Sequence, residues 1–346
     1  MDPTEHSANH ESLATLAGHN LLLLSGHDLR RLMSPTASIS ALRDAYRDLA
    51  DNRDDSGRSL GFVVEGGSIH VKAGLLPGSR SVFAAKLNVN LPDNEARHRL
   101  PTIQGVVVLV DATNGRPLAL MDSIVLTALR TAATAALAAE YGARPEARSA
   151  AIIGCGTQAQ YQLEALCARF PLEEIRAFDV DRAKAEAFAR GARSSALDCR
   201  SMPSVSAACE RVDICITCTT SKVPVLTRDM DLAGCFVAAV GADNPEKQEV
   251  DPLLMQRARI LVDDLEACAT GGDLSHALKT GAVSRDVVHA DLADLAAGRK
   301  TGRGTADELV IFDSTGSGVQ DVALAFAAYR AALATDIGHR FAMRGA

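Results

Sequence analysis

The stretch Ser149-Ala-Ala-Ile-Ile-Gly-Cys-Gly-Thr-Gln-Ala159 decides the fold. Its apolar start reads as a buried strand, and Gly154 and Gly156 turn the chain into a helix beginning near Thr157 and Gln158. A dinucleotide pyrophosphate requires that geometry: glycines let the backbone approach closely, and free N–H groups at a helix start hold negative charge. Twenty-five residues after Gly154 comes Asp179, ending a second strand, Ile175-Arg-Ala-Phe-Asp179. A carboxylate there accepts hydrogen bonds from the ribose hydroxyls and repels a 2′-phosphate, so NAD(H) is favoured over NADP(H). Arg182, just beyond, still leaves room for a phosphate. Alone the GxGxxA motif says little; inside strand, glycine turn, helix, strand and acid it outweighs a purely structural turn.

After this point strands expected near 150–154, 174–179, 212–218, 235–241, 259–263 and 308–313 alternate with helices, the pattern of a doubly wound parallel sheet. Before it the pattern is different. Leu21 to Leu24 reads as a short strand, and Pro35 and Ser38 introduce an amphipathic helix to about Asp51, with Ile39, Leu42, Tyr46 and Leu49 on one stripe. Gly61–Glu65 and Ser68–Ala73 flank a Gly66-Gly67 hairpin signal, Ser81–Leu91 alternates, and Val106–Asp111 and Arg116–Met121 flank Asn114-Gly115. Asp122-Ser123 then caps an alanine-rich helix to about Tyr141. The fold class is therefore α/β: a Rossmann-type doubly wound parallel sheet, residues 123–318, plus a β-rich domain. That second domain takes residues 19–122 and, through a last helix from Val319 that folds back to close a cleft, 319–346. Residues 1 to about 18 read as a disordered extension.

With 346 residues the chain can bury two cores, and its 47% apolar and 23% charged residues are ordinary for a globular protein. A net charge of −7 gives no reason to expect nucleic acid or an anionic membrane as partner. No apolar run reads as membrane-spanning and no secretory start is visible, so a cytoplasmic location is expected. The eight cysteines lack metal spacing. Cys215 and Cys218, three apart on an expected strand, face opposite ways and read as buried thiols, and no metal site is expected. Cys155 in the phosphate loop is either reactive or a small packing residue.

Three side-chain positions carry the chemistry. Arg130 is the only charged residue from Ser123 to Ala139, and a buried guanidinium needs an anionic partner. Its fork matches a carboxylate, and ligand binding is favoured over the alternatives, a surface position or pairing to a protein carboxylate, because the helix enters the dinucleotide domain. Lys86 shares a strand face with Ala84, Asn88 and Asn90, while Ser68, His70 and Lys72 share one on the preceding strand. Each alone is a solvated polar face; His70, Lys72 and Lys86 on adjacent strands, together with Arg130, form a basic ribbon suited to an anionic substrate. Asp243, after the apolar run Phe236 to Val240, stands where ligands bind at the carboxyl ends of parallel strands. It reads equally as a proton relay or as a turn residue before Pro245. Gly316 and Gly318, beside Ser314 and Thr315, either line the nicotinamide or merely turn the chain.

Together Lys86-Leu-Asn-Val-Asn-Leu-Pro-Asp-Asn94, Leu100-Pro-Thr-Ile-Gln104, Asn114-Gly-Arg-Pro-Leu-Ala-Leu-Met-Asp122, Leu126-Thr-Ala-Leu-Arg-Thr-Ala-Ala133, Gly154-Cys-Gly-Thr-Gln158, Val240-Gly-Ala-Asp-Asn-Pro-Glu-Lys-Gln-Glu249 and Asp313-Ser-Thr-Gly316 resemble the ornithine cyclodeaminase/mu-crystallin family. The resemblance spans roughly residues 20 to 335 in motif order. It implies a homodimer formed through the β-rich domain and NAD(H) or NADP(H) on the Rossmann domain. By motif, Lys86 and Arg130 look like the grip on a substrate α-carboxylate, Arg58 like a further substrate arginine, Asp243 like the general acid/base, and Thr315 like a substrate contact. Thr102, Arg130, Thr131, Thr219, Val240, Lys247 and Ser314 fall in segments that the family sets near the cofactor.

The resemblance leaves the reaction open among cyclodeaminases that recycle NAD⁺, imine reductases and amino acid dehydrogenases, and binding proteins. By the same resemblance, His70 stands where cyclodeaminases place an acid for the substrate's distal amine, and Lys72 where they are uncharged. Lys72 would repel a terminal ammonium and welcome a second carboxylate. The expectation is reversible hydride transfer to a small imino or keto acid, iminosuccinate to aspartate being one case. Ornithine-type cyclodeamination, and a cofactor-gated binding protein, are the alternatives.

Overall fold

The computed structural model describes residues 20–52, 57–76, 81–194 and 197–343. The expected extension at residues 1–18 lies outside the described residues.

Two sheets organise the chain. The parallel sheet contains β7 (Ser149–Ile153), β8 (Glu174–Phe178), β9 (Asp198–Ser201), β10 (Ile214–Thr217), β12 (Phe236–Ala239), β14 (Arg259–Val262), β15 (Val288–Asp291) and β16 (Val310–Asp313). Its order is β15-β14-β16-β12-β10-β7-β8-β9. The chain winds outward from β7 in one direction and from β10 in the other, so the switch point lies between them. In such sheets the ligand crevice opens there, at the carboxyl ends of the strands. Strands β7, β10, β12 and β16 are almost wholly buried, as parallel strands covered on both faces must be. A small parallel pair, β11 (Lys222–Leu226) and β13 (Gln248–Val250), lies beside this sheet in sequence.

The second sheet is mixed: β1 (Asn20–Leu24), β2 (Arg58–Val64), β3 (Gly67–Leu76), β4 (Val82–Asn90), β5 (Ile103–Asp111), β6 (Pro117–Asp122) and β17 (His339–Ala342). The order is β17-β1-β6-β5-β4-β3-β2, with β1 and β6 the parallel pair. The β2–β3 hairpin turns at Gly66, whose φ of +79° suits glycine.

Five helices set the site, labelled here in chain order: α1 (Gly26–Leu32), α2 (Pro35–Asp51), α3 (Ser123–Gly142), α4 (Thr157–Cys167) and α5 (Gly318–Thr335). The expected stripe of α2, Ile39, Leu42, Tyr46 and Leu49, is buried. In α3 the Asp122 carboxylate caps the Val125 N–H at 2.8 Å, and the alanines let the helix lie deep between the sheets. Contrary to the sequence expectation, α3 is long and apolar enough to cross a membrane, but it is mostly buried within the protein and works as a core helix. Helix α5 packs against β3, β4 and α2.

Candidate functional site

On the parallel-sheet side, Gly154 follows β7 with φ +96°, and a Cβ there would come within 2.9 Å of the Cys218 carbonyl oxygen. Glycine alone fits. Gly156 caps α4 with no side-chain bond, and nothing lies within 4 Å of where its Cβ would stand, so the helix start is open. Thr157 and Gln158 in that first turn line the cavity described below, and the Gln158 Oε1 is buried without a partner. This is a cradle that fits a pyrophosphate. Asp179, one residue past β8, accepts the Cys155 N–H at 2.8 Å and the Asp181 N–H at 2.8 Å, which fixes its carboxylate beside the cradle. Arg182 pairs instead with Glu186. Burial pushes the Cys155 thiol up to about 12, with Asp179 adding to the effect, so it packs as a neutral group. Cys215 lies 3.6 Å from Cys209, whereas Cys218 donates to the Gly154 carbonyl, so the two thiols of the CxxC have separate neighbours.

The loops after β10 and β12 meet on Glu249, which no sequence signal had suggested. Buried, it accepts hydrogen bonds from the hydroxyls of Thr217 and Thr219 and the N–H groups of Thr219 and Gly241. Burial raises its carboxyl despite these donors. Thr219 is thus oriented by Glu249. Val240 is half-buried, its N–H bonded to the Thr217 carbonyl. The Ser314 hydroxyl donates to Asp263 at 2.8 Å. Thr131 is buried on α3 and Thr102 lines the cavity.

On the mixed-sheet side, β3 and β4 are neighbours and Lys72 stands opposite Lys86, with His70 opposite Asn88. Their polar face is the interior one. Lys86 is only 3% exposed, while Leu87 beside it is 41% exposed, an inversion of the usual half-buried strand. The Lys86 ammonium reaches Asp321 of α5 at 2.8 Å and the Thr127 hydroxyl at 3.2 Å. Burial, with Arg130 and Lys72 nearby, brings it down to about 7 against the pull of Asp321. The Lys72 ammonium donates to the carbonyls of Thr315 and Gly316, both at 2.9 Å; burial and Arg130 lower it. His70 bonds the Ser68 hydroxyl at 2.8 Å.

Arg130 corrects one expectation. Its anionic partner within the protein is Asp321, 3.3 Å from Nε, and its Nη1 donates to Gln320 at 2.9 Å. The guanidinium rests on Gly316, where a Cβ would come within 2.0 Å of Nη1. Gln320 in turn donates to Tyr46 and to Asp263, and Asp263 accepts from Ser314, Gly316 and Gln320. One network thus ties the guanidinium to the 314–317 loop.

A cavity of about 430 Å³ lies between the halves. Lys72, Lys86 and Arg130 line one side; Asp243, Lys247 and the α4 start line another. Asp243 accepts from Lys247 at 2.8 Å and opens to the cavity, with 53% of its side chain exposed. The surrounding protein would raise its carboxyl; Lys247, Lys72 and Arg130 outweigh that and hold it below the ordinary aspartate range.

Residues 35–336 match the family model described as the ornithine cyclodeaminase/mu-crystallin family. The chain belongs to that family. Alanine dehydrogenase of Archaeoglobus fulgidus is 34% identical over 319 residues, covering 92% of this chain and 97% of that protein. Among solved structures, an archaeal alanine dehydrogenase dimer with bound NAD matches with a TM-score of 0.88 and 33% identity, over 94% of this chain and 100% of that one. Thermococcus litoralis Δ(1)-pyrroline-2-carboxylate reductase in complex with NADH and L-proline matches with a TM-score of 0.87 and 30% identity, over 92% and 99%.

Two residues that the family resemblance had suggested as substrate contacts stand apart from the cavity, as do Thr131, Thr219, Val240 and Ser314 of its cofactor set. Arg58, at the start of edge strand β2, is exposed, bonds the Gly57 carbonyl at 2.9 Å and does not line the cavity. The register explains this: its neighbour Ser59, not Arg58, stands in the row of Lys72 and Lys86. Thr315 is 6% exposed and does not line the cavity either; its hydroxyl is buried without a partner. Asp321, Gln320, Asp263 and Glu249 went unread. Asp321 had a signal of the same kind as Arg130, being the only charged residue between Gly318 and Tyr329.

Proposed function

We propose that the protein is an NAD(H)-dependent imine reductase or amino acid dehydrogenase acting on the C–N bond of a small 2-imino or 2-amino acid. The observation that carries this reading is the convergence of Lys72, Lys86 and Arg130 on one cavity whose far wall holds Asp243 and the open start of α4. Lys86 and Arg130 share one protein carboxylate, Asp321, and the Lys72 ammonium donates to backbone carbonyls, so this wall can meet an incoming carboxylate with positive charge.

Bound NAD(H) would exchange a hydride with the α-carbon of such a substrate. Lys86 and Arg130 would grip the α-carboxylate, converting an encounter into a fixed orientation. Asp243 would take up or return the proton at nitrogen, a role its position open to the cavity permits. Gly154, Gly156, Thr157 and Gln158 would hold the pyrophosphate and Asp179 the ribose, which favours NAD(H) over NADP(H). Lys72, with two donors committed to carbonyls, still presents its charge, and with His70 it favours a dicarboxylic substrate such as iminosuccinate over one ending in an ammonium.

The chain would act as a homodimer. Its mixed sheet carries a cross-strand row Leu60–Val71–Leu87–Val106 and a second, Phe62–Ile69–Val89, on the face away from the cavity. Leu60, Phe62, Leu87 and Val106 are 40–56% exposed, a contiguous apolar patch of the sort that meets another surface.

The test is absorbance at the NADH band with 2-oxo acids plus ammonia, Δ1-pyrroline-2-carboxylate and L-ornithine in parallel, with NADPH as comparison and ammonia assayed. Oxidation of NADH, fastest with oxaloacetate plus ammonia, is the expected outcome. Conversion of ornithine to proline without net nucleotide consumption would overturn it in favour of a cyclodeaminase. NADH binding without turnover of any of these would indicate a binding protein.

A further inference from the structure

Lys86 is surrounded by groups that disagree about its charge. From β3, Lys72 stands opposite, with His70 further along; from β5 the opposing residue is the apolar Val107. From α3 come Arg130 and the Thr127 hydroxyl, across the cavity lies Asp243, and from α5 comes Asp321. Of these, Asp321 is the anion in contact, 2.8 Å from Nζ and 1% exposed. It does not line the cavity. Gln320 beside it is tied to Arg130, Tyr46 and Asp263, which locks this end of the helix.

We propose that Asp321 is a positioning residue that acts through Lys86, holding the ammonium charged and aimed at the cavity so that a substrate carboxylate meets a cation. The inference rests on the substrate reading above. A guanidinium keeps its proton in any protein setting, so when negative charge is withdrawn from this cluster the proton leaves a lysine. Lys86, in contact with Asp321 and already near neutrality, is the one that yields.

Full-length protein labelled with [ε-¹³C]lysine reads the charge directly, Lys86→Arg assigning the signal. Lys86 should titrate near 7 in the wild type and at least about one unit lower in Asp321→Asn. If the Asn variant fails to fold, [γ-¹³C]aspartate labelling of the wild type, assigned with Asp321→Glu, must show Asp321 moving through the same step as Lys86. In turnover, a one-unit shift raises KM about eightfold near pH 7.5 but less than about twofold near pH 5.5, with kcat little changed. An unshifted Lys86 signal, an Asp321 signal indifferent to the Lys86 step, or a KM rise equal at both pH values would overturn the proposal. The spectra need no substrate, so a protein that turns over no imino acid yet shows the shift loses the substrate reading and keeps the pairing.

Discussion

Burial brings Lys86 down to about 7 despite the pull of Asp321, and the sign of the consequences follows. Its value in the folded protein, about 7, lies below that of an unfolded lysine. Between those values the unfolded chain binds more protons, so this residue's contribution to stability rises with pH across that window. Lys86→Met should flatten that part of the stability profile, read as urea midpoints from pH 7 to 10. Substrate binding at Lys86, as proposed, would run the other way: a carboxylate prefers the ammonium, so affinity should weaken as pH rises through 7. Calorimetry with an amino acid product in the presence of NAD⁺ should show proton uptake on binding above pH 7; its absence would refute the titration. Asp243, held low by Lys247, Lys72 and Arg130, is ionised at neutral pH. Asp243→Asn should cost roughly 10²–10⁴ in kcat, the usual worth of a general acid/base, with NADH affinity retained. Full activity of that variant would remove Asp243 from the chemistry.

At the scale of elements, the 314–317 loop is the most exacting piece. Gly316 has φ +76° and leaves no room for a methyl group beside Arg130. Gly316→Ala should displace the guanidinium, raising KM about tenfold or more while NADH binding persists, with backbone strain costing roughly 1–2 kcal/mol of stability. Wild-type KM in that variant would show that Arg130 does not hold substrate. The strands around this loop were legible because buried parallel strands read as apolar runs. Others were not: β9 is Asp-Cys-Arg-Ser with one buried residue, and β17 is exposed throughout, so neither carries a periodic signal. Helix α1 did carry one, the Ser25–Asp28 capping box. In the site, Lys86 and Lys72 were legible through strand alternation, but which face was interior was not, because that depends on α5, whose Asp321 lies 235 residues from Lys86. Asp263 directly follows β14 and Glu249 is the middle residue of the short strand β13, and their contacts exist only once loops from several strands converge.

For the whole molecule, the inverted sheet is the organising fact. Polar side chains turn inward to the cavity, and the apolar rows through Leu60 and Phe62 turn outward. Phe62→Glu with Leu87→Glu should convert a dimer to monomers by light scattering, and an unchanged mass would place the interface elsewhere. Catalysis as proposed requires the two halves to meet over one substrate. A crystal structure with NAD⁺ and L-aspartate, or L-alanine if aspartate does not bind, tests this most directly. It should show the α-carboxylate on Lys86 and Arg130, the amine facing Asp243 and the α-carbon against the nicotinamide ring. An amino acid bound away from those two cations, or a dinucleotide away from Gly154 and Gly156, would contradict it.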